Sequence, residues 1–233
     1  MRTERLTFAV EAPRIDEVSA LYSQPDGPTR ERAVLLANGA GFHMESPWMA
    51  ALAEGLVERG YRVLRFHYPY KERSVREGRT LPPNKAPVLE DCHERALGEL
   101  LRRTDGARPL LAGKSLGARM STHLAAKDVA CAGLVLFGYP LHPAGKPEKL
   151  RSEHFAAIVQ PSLFFQGTRD ALCDLTLFER ERARLGGPVT VEVVEDADHG
   201  FHVRKSSGTT DEEVLRRMLD ATVAWEDAIL PTG

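Results

Sequence analysis

The sequence is short of cysteine, of long apolar runs and of any charge excess, and each shortage excludes a class of protein. Cysteine occurs only at Cys92, Cys131 and Cys173, with no CxxC spacing, so neither a disulfide framework nor a zinc-binding cysteine cluster is indicated. We expect small buried thiols in a reducing cytosol, hence a cytoplasmic protein. The first ten residues, MRTERLTFAV, lack a signal-peptide core, and the apolar runs fall far below the roughly 20 residues that span a bilayer.

The charge balance is close to neutral. Lys and Arg total 31 against 33 Asp and Glu, a net charge of -2, so no global field would draw the molecule to nucleic acid or to an anionic membrane. Neither is expected as a partner. The composition, with 42% hydrophobic and 27% charged residues, is ordinary for a globular protein. A length of 233 residues predicts one α/β domain over 1–233.

Apolar β-type runs alternate with amphipathic, helix-length segments along most of the chain. Beyond a leading hairpin near residues 6 and 17, strands are predicted at 33–37, 61–66, 108–113, 132–138, 161–167 and 189–194. Continuous apolar strands separated by helices indicate a mostly parallel sheet of about eight strands, with helices on both faces and the hairpin as an antiparallel edge. Ligands of such sheets bind beyond the carboxyl ends of the strands, so the polar residues that follow each strand are the functional candidates.

Residues 113–117, GKSLG, form a G-x-S-x-G sequence between a predicted strand and a predicted helix. The two glycines permit a turn too tight for side chains, and this turn lifts the Ser115 hydroxyl above the sheet edge. A phosphate-binding loop would need glycine at position 108, where the chain has Arg108. A serine that merely caps the helix is the second alternative. The strand-turn-helix context favours a nucleophilic serine.

A nucleophilic serine needs a base and an orienting acid, which follow it along such chains in the order acid, then histidine. Asp170 lies three residues past the glycine that ends the strand at 161–167, and His199 lies on the loop after the last strand. Each side chain comes from the end of a different strand, so the three can converge. The sequence therefore predicts Ser115, Asp170 and His199 as catalytic residues, with Asp174 as the alternative acid.

Other acidic residues close to His199 suggest different roles. Asp196 and Asp198 are too near in sequence to orient the imidazole, so we expect them to shape its loop. Together with His199 and His202 they offer metal-ligand types, but without further placed ligands. No metal and no cofactor is therefore expected.

An oxyanion hole needs two backbone donors. One is expected from Leu116, directly after the nucleophile, and the other from the loop after the first parallel strand, residues 38–43, NGAGFH. Small residues let this backbone approach a substrate oxygen, so Ala40 or Gly41 is predicted to supply the second N–H. A simple glycine turn is the alternative.

Six segments together resemble the dienelactone-hydrolase-like branch of the α/β-hydrolase superfamily: NGAG, RFHYPY, AGKSLGARM, FGYPLHPAGKPEKLR, QGTRD and DADHGF. More narrowly, they are similar to small bacterial hydrolases whose domain is shared with a testis-expressed protein and with a subunit of a chromatin acetyltransferase complex. The resemblance runs from about residue 30 to the end. It implies the α/β-hydrolase fold, a triad of Ser115, Asp170 and His199, and a minimal cap at about 139–158. Dienelactone hydrolases carry cysteine where Ser115 stands, and such proteins commonly carry histidine where Asn38 stands.

Several aromatic residues are candidates for the substrate pocket. His67 and Tyr68 directly follow a strand, and Tyr139 and His142 lie in the predicted cap; core packing is the alternative for aromatic residues after a strand. The predicted loop at 71–87 carries five basic residues against two acidic ones, a local charge of +3. It suggests anionic acyl substrates, although a solvated loop would have the same composition.

These residues predict a serine hydrolase that cleaves a small ester or thioester through an acyl-enzyme. A non-catalytic protein-interaction module that retains the fold is one alternative, since a fold does not determine function. An acyltransferase or perhydrolase using the same triad is another. The expected partner is a small-molecule ester or thioester, and the expected state is a monomer or homodimer.

Overall fold

A computed structural model describes residues 1–230. Its strands are β1 Arg2–Ala12, β2 Ile15–Gln24, β3 Val34–Ala37, β4 Val63–Phe66, β5 Leu110–Lys114, β6 Gly133–Phe137, β7 Ser162–Gly167 and β8 Val189–Val194. Its α-helices are α1 Pro47–Glu58, α2 Pro69–Glu77, α3 Ala86–Arg103, α4 Leu116–Ala125, α5 Leu175–Arg182 and α6 Asp211–Ile229. Short 3-10 turns cover Phe155–Ala157 and Lys205–Ser207. Within the described chain no helix is both long and apolar enough to cross a membrane.

All eight strands belong to one sheet in the order β1-β2-β4-β3-β5-β6-β7-β8. β2 pairs antiparallel with both β1 and β4, and every pair from β4 to β8 is parallel. The predicted mostly parallel, eight-stranded sheet is therefore confirmed, with the leading hairpin at one edge. The single domain over 1–233 stays a prediction.

Alternating side chains of the central strands point to two separate cores, as the pleat requires. In β3, Val34 and Leu36 join the core under α1 and α6, whereas Leu35 and Ala37 join the core under α3 and α4. Helices thus cover both faces, as predicted. A capping box at Thr210 and Glu213 begins α6, with the Thr210 hydroxyl accepting from the Glu213 N–H.

The predicted loop at 71–87 is helical over its first part, because α2 begins at Pro69 and continues to Glu77. Proline suits a first helical position, and two ion pairs four residues apart, Arg73 with Glu77 and Arg76 with Glu72, support the helix. The chain leaves this helix through Gly78 in the left-handed conformation.

The segment at 139–158, expected to form a short cap, has no regular structure apart from one 3-10 turn. Its large apolar side chains point down into the core of α3 and α4: Tyr139, Leu141, Phe155 and Ile158 are buried there. This segment therefore packs largely on the body of the protein.

The close approach of α4 to β3 at Gly117 gives a stability prediction. A Cβ on Gly117 would lie 2.2 Å from the Ala37 carbonyl oxygen, so Gly117→Ala must push α4 away from β3. We expect a loss of about 1–3 kcal/mol in the free energy of unfolding, measured in urea. The matched control is Gly98→Ala in α3, where the nearest atom would be the Arg102 guanidinium at 3.8 Å. That variant should gain about 0.5–1 kcal/mol from helix propensity, and equal effects of both variants would contradict the packing argument.

Candidate active site

Ser115 lies in the turn between β5 and α4 with φ 52° and ψ -109°, a conformation that is strained for a residue with a side chain. The glycines on either side allow it. A Cβ on Gly113 would lie 2.3 Å from the Gly117 carbonyl carbon, so only glycine lets the helix start this close to the strand. The Ser115 N–H donates to the Phe137 carbonyl of β6 at 3.0 Å, which holds the serine at the sheet edge.

The three residues predicted as catalytic form one chain of hydrogen bonds. His199 Nε2 lies 2.8 Å from Ser115 Oγ, and His199 Nδ1 lies 2.7 Å from Asp170 Oδ2. The other carboxylate oxygen, Asp170 Oδ1, accepts from the Leu172 N–H at 2.8 Å. The Asp170 side chain is fully buried, whereas that of His199 is 27% exposed. The imidazole thus faces the serine with its tautomer controlled by a buried acid.

The remaining acidic residues have separate partners. Asp174, the alternative acid, caps α5 by accepting from the Leu177 N–H at 2.9 Å. Asp198 accepts from the Gly200 and His202 N–H groups at 2.7 and 3.0 Å, so it shapes the loop of His199 as expected.

Lys114, which sequence reasoning did not single out, lies beneath the histidine loop. It is fully buried, and its Nζ donates to the His199 carbonyl oxygen. The ammonium lies 4.7 Å from the Phe201 ring centroid and 5.8 Å from that of Trp48, both within range of a cation–π contact. Burial lowers the pKa of Lys114 to about 8, although Asp170 and Asp198 act to raise it.

The loop predicted to contribute to the oxyanion hole lies against the nucleophile. A Cβ on Gly39 would be 3.5 Å from Ser115 Cβ, and the Ala40 carbonyl accepts from the Tyr70 hydroxyl at 3.3 Å. Leu116 is the first residue of α4, where a backbone N–H has no acceptor within its own helix. Leu116 and Ala40 both line the cavity beside Ser115, whereas Gly41 does not.

A cavity of about 350 Å³ opens beside the serine. Its wall consists of Ala40, Pro83, Asn84, Ala86, Leu89, Ser115, Leu116, Arg119, Met120, Pro140, Arg151 and Leu172. The wall is largely apolar, with two arginines as its only charged members. A larger cavity of about 480 Å³ between β8 and α6 contains none of the three predicted catalytic residues, so the smaller one is the candidate substrate site.

The two arginines have no acidic partner within ion-pair distance among the described residues. Nε of Arg119 is buried without a hydrogen-bond partner, and among the described residues the Arg151 guanidinium donates only to the Pro140 carbonyl, at 3.3 Å. Burial, and then the charge of Arg119, lower the pKa of Arg151. The site therefore carries positive charge that no direct ion pair within residues 1–230 neutralises, although Glu153 lies close enough for its charge to act on Arg151.

His67 and Tyr68, predicted as pocket residues because they follow the strand at 61–66, do not line this cavity. Both turn into the protein. His67 Nδ1 lies 2.8 Å from Glu72, and the Tyr68 hydroxyl lies 3.1 Å from His93 Nδ1. Tyr70, two residues on, is the aromatic residue that reaches the loop beside the nucleophile.

Tyr139 and His142 do not line the cavity either, since their polar atoms fasten the segment at 139–158. The Tyr139 hydroxyl donates to the Arg151 carbonyl at 2.5 Å, and His142 Nε2 accepts from the Asp174 N–H at 3.0 Å. Pro140 and Arg151 are the residues of this segment that face the site. Tyr139 thus supports the cavity wall by holding the backbone of Arg151 in place.

The basic residues of 71–87 are also placed differently from the prediction. Arg73 and Arg79 pair with Glu77, and Arg76 pairs with Glu72. Only uncharged residues of this stretch, at positions 83, 84 and 86, reach the cavity. Three of the five basic residues are thus held in ion pairs, none of the five lines the cavity, and the cations that do line it are Arg119 and Arg151.

One group of side chains within residues 1–230 has the donor types and the spacing of a metal site: His43, Glu45 and His67, whose ligand atoms lie within 4.8 Å of one another. It is separate from the loop at 196–202, where His202 Nδ1 instead contacts Asp211 at 2.7 Å. The three potential ligands come from two loops that are more than 20 residues apart in sequence, so no short sequence motif indicates them.

Comparisons with known proteins agree with this architecture. A family model described as an alpha/beta hydrolase domain matches residues 30–227. An alpha-beta serine hydrolase homologue from Coxiella burnetii is 20% identical over 91% of this chain and 96% of its own, with a TM-score of 0.70. A dienelactone hydrolase from Anabaena variabilis is 19% identical over 98% and 99% of the two chains, with a TM-score of 0.73. A Xanthomonas campestris protein, described as an α/β serine hydrolase without lid, is 20% identical over 100% and 98%, with a TM-score of 0.69.

The buried lysine gives a prediction about pH. Folding lowers the pKa of Lys114 from 10.5 to about 8, so between these values the unfolded chain holds a proton that the folded chain has released. Stability must then rise with pH across this window. The free energy of unfolding of the wild type minus that of Lys114→Met should increase from pH 8 to pH 10.5, measured by urea titration at each pH. A difference that stays constant would show that Lys114 titrates as an ordinary exposed lysine.

Proposed function

The chain belongs to the α/β-hydrolase family, and from that premise we propose that it hydrolyses a small ester or thioester through an acyl-enzyme on Ser115. The observation that carries the proposal is the unbroken hydrogen-bond chain from Asp170 through His199 to Ser115. Nothing in the packing of the fold requires serine, aspartate and histidine at these three loop positions together. A cytoplasmic location and a monomer or homodimer form part of the proposal.

The geometry supports the following steps. Ser115 Oγ attacks the carbonyl carbon while His199 Nε2 takes the hydroxyl proton, and the buried carboxylate of Asp170 stabilises the imidazolium. The backbone N–H of Leu116 and one from Ala40 or Gly41 would stabilise the oxyanion. The imidazolium then protonates the leaving alcohol or thiol, and water releases the acyl group by the same steps in reverse order.

The charge of the cavity narrows the substrate class within this proposal. Arg119 and Arg151 are adjacent, partly desolvated and without an acidic partner among residues 1–230, which is unfavourable unless an anion binds between them. We infer that the ester carries an anionic group such as a carboxylate. The apolar remainder of the wall suits a short hydrocarbon portion. The proposal thus retains the anionic substrate suggested by the sequence, but Arg119 and Arg151 replace the basic residues of 71–87 as the groups that would bind it.

The alternatives differ in what they require of Ser115. A protein-interaction module has no need for a reactive serine, so it predicts no turnover and no covalent labelling. An acyltransferase or perhydrolase predicts labelling together with transfer to an acceptor other than water. Turnover of esters and thioesters in the presence of added alcohols, with the products identified, separates transfer from hydrolysis.

The first test is removal of the nucleophile. Ser115→Ala should lower kcat for p-nitrophenyl acetate on the order of 10⁴- to 10⁶-fold, and it should abolish labelling by a fluorophosphonate probe. Ser206→Ala, which changes an exposed serine of the 3-10 turn at Lys205–Ser207, is the control and should retain both. A folded wild type that neither reacts with the probe nor turns over any ester would favour the interaction module.

The second test concerns charge selectivity. Arg119→Gln and Arg151→Gln should each raise KM for a carboxylated ester, such as a succinate monoester, by roughly 10- to 100-fold, the value of one charge-assisted hydrogen bond. KM for the corresponding neutral ester should change little. Arg73→Gln removes an arginine that is already paired with Glu77 and serves as the matched control. Equal losses on charged and neutral esters would assign the two arginines a structural role only.

A further inference from the structure

His67 is a buried histidine with one unused ring nitrogen. It follows β4, is 2% exposed, and its Nδ1 contacts the Glu72 carboxylate at 2.8 Å. Glu72 is itself held by the backbone N–H and hydroxyl of Ser19, at 3.0 and 3.1 Å. The other nitrogen, His67 Nε2, is buried and has no hydrogen-bond partner. A buried polar atom without a partner is costly and calls for an explanation.

The arrangement around His67 is the one that histidine ligands of metals adopt. A carboxylate that accepts from one ring nitrogen keeps the proton there and leaves the lone pair of the other nitrogen free for a metal ion. Here the Glu72 contact leaves Nε2 as that free donor.

Two further potential metal ligands lie beside His67. His43 packs edge-on to His67 with ring centroids 5.9 Å apart, and its Nδ1 accepts from the Glu45 N–H at 3.2 Å, so its Nε2 is also available. The Glu45 carboxylate completes a set of ligand atoms that all lie within 4.8 Å of one another.

We propose that His43, Glu45 and His67 bind a divalent transition-metal ion, with Zn²⁺ as the expected occupant. Two imidazoles and one carboxylate form a common three-ligand zinc set, and water fills the fourth position. Arg5, which pairs with Glu45 at the surface, competes for this carboxylate, but an exposed ion pair is worth only about 0–1 kcal/mol. Lys71 is the other cation near His43, and its positive charge opposes the binding of a metal ion there.

The position of the site suggests what the ion would do. His43 and Glu45 belong to the loop between β3 and α1 that also carries Ala40 and Gly41, whereas His67 belongs to the end of β4. A bound ion would therefore join that loop to the sheet and restrict its motion beside Ser115. This role is structural, and it holds whether or not the proposed ester hydrolysis is correct.

The test uses full-length, tag-free protein treated with a chelator and then titrated with Zn²⁺ alone against a competing fluorescent chelator. The wild type should bind one ion per chain, and Zn²⁺ should raise its Tm. His43→Ala and Glu45→Gln should each weaken binding by at least tenfold, and Glu72→Gln by roughly 10- to 100-fold, as expected when the group that orients a ligand is lost. Circular dichroism of the metal-free proteins checks that each variant is folded.

The control is His202→Ala, which removes an exposed histidine that contacts Asp211 elsewhere on the surface and should leave zinc binding unchanged. Co²⁺ gives a second readout, because a four-coordinate ion in the wild type should show visible absorption that His43→Ala loses. Failure of the wild type to bind zinc would overturn the proposal. Equal binding by the wild type and the His43→Ala and Glu45→Gln variants would also overturn it, since the ion would then lie elsewhere.

Discussion

The close packing of β3, β5 and the start of α4 around Ser115 is the constraint on which the rest of the site depends. Gly117 lies against the Ala37 carbonyl, and Gly113 lies against the first turn of α4, with no room for a Cβ at either position. This packing holds the serine at a positive φ and directs its hydroxyl out of the sheet. The loop at Gly39 can then approach the serine, because that position also carries no side chain.

The electrostatics of the site depend on the same edge of the sheet. Asp170 is a buried carboxylate, and a buried charge is tolerated only when hydrogen bonds and an opposite charge compensate for it. Leu172 and His199 supply the hydrogen bonds, and Lys114 supplies the charge from below. Because the Lys114 ammonium also donates to the carbonyl of His199, one buried side chain supports both the position of the imidazole and the charge of the acid.

Much of this arrangement could be predicted from the sequence, because the last residues of parallel strands all lie at the same edge of the sheet. The order of Ser115, Asp170 and His199 after three different strands was sufficient to predict that they meet, and the resemblance to the α/β-hydrolase superfamily is confirmed by the family match. Side-chain direction could not be predicted in the same way. His67 and Tyr68 follow a strand too, but they turn inward towards Glu72 and His93, partners supplied by helices that no strand pattern places.

The charge of the pocket shows a different limit of sequence reasoning. A local excess of basic residues at 71–87 suggests a cationic substrate site, yet three of its arginines form ion pairs with Glu72 and Glu77 and none of its basic residues lines the cavity. Arg119 could have been found, because it lies four residues after Ser115 and hence on the same face of α4. Arg151 could not, since its irregular segment is positioned by Tyr139 and Leu141 through backbone contacts. The proposed selectivity for an anion therefore depends on which cations lack partners, and only tertiary structure decides that.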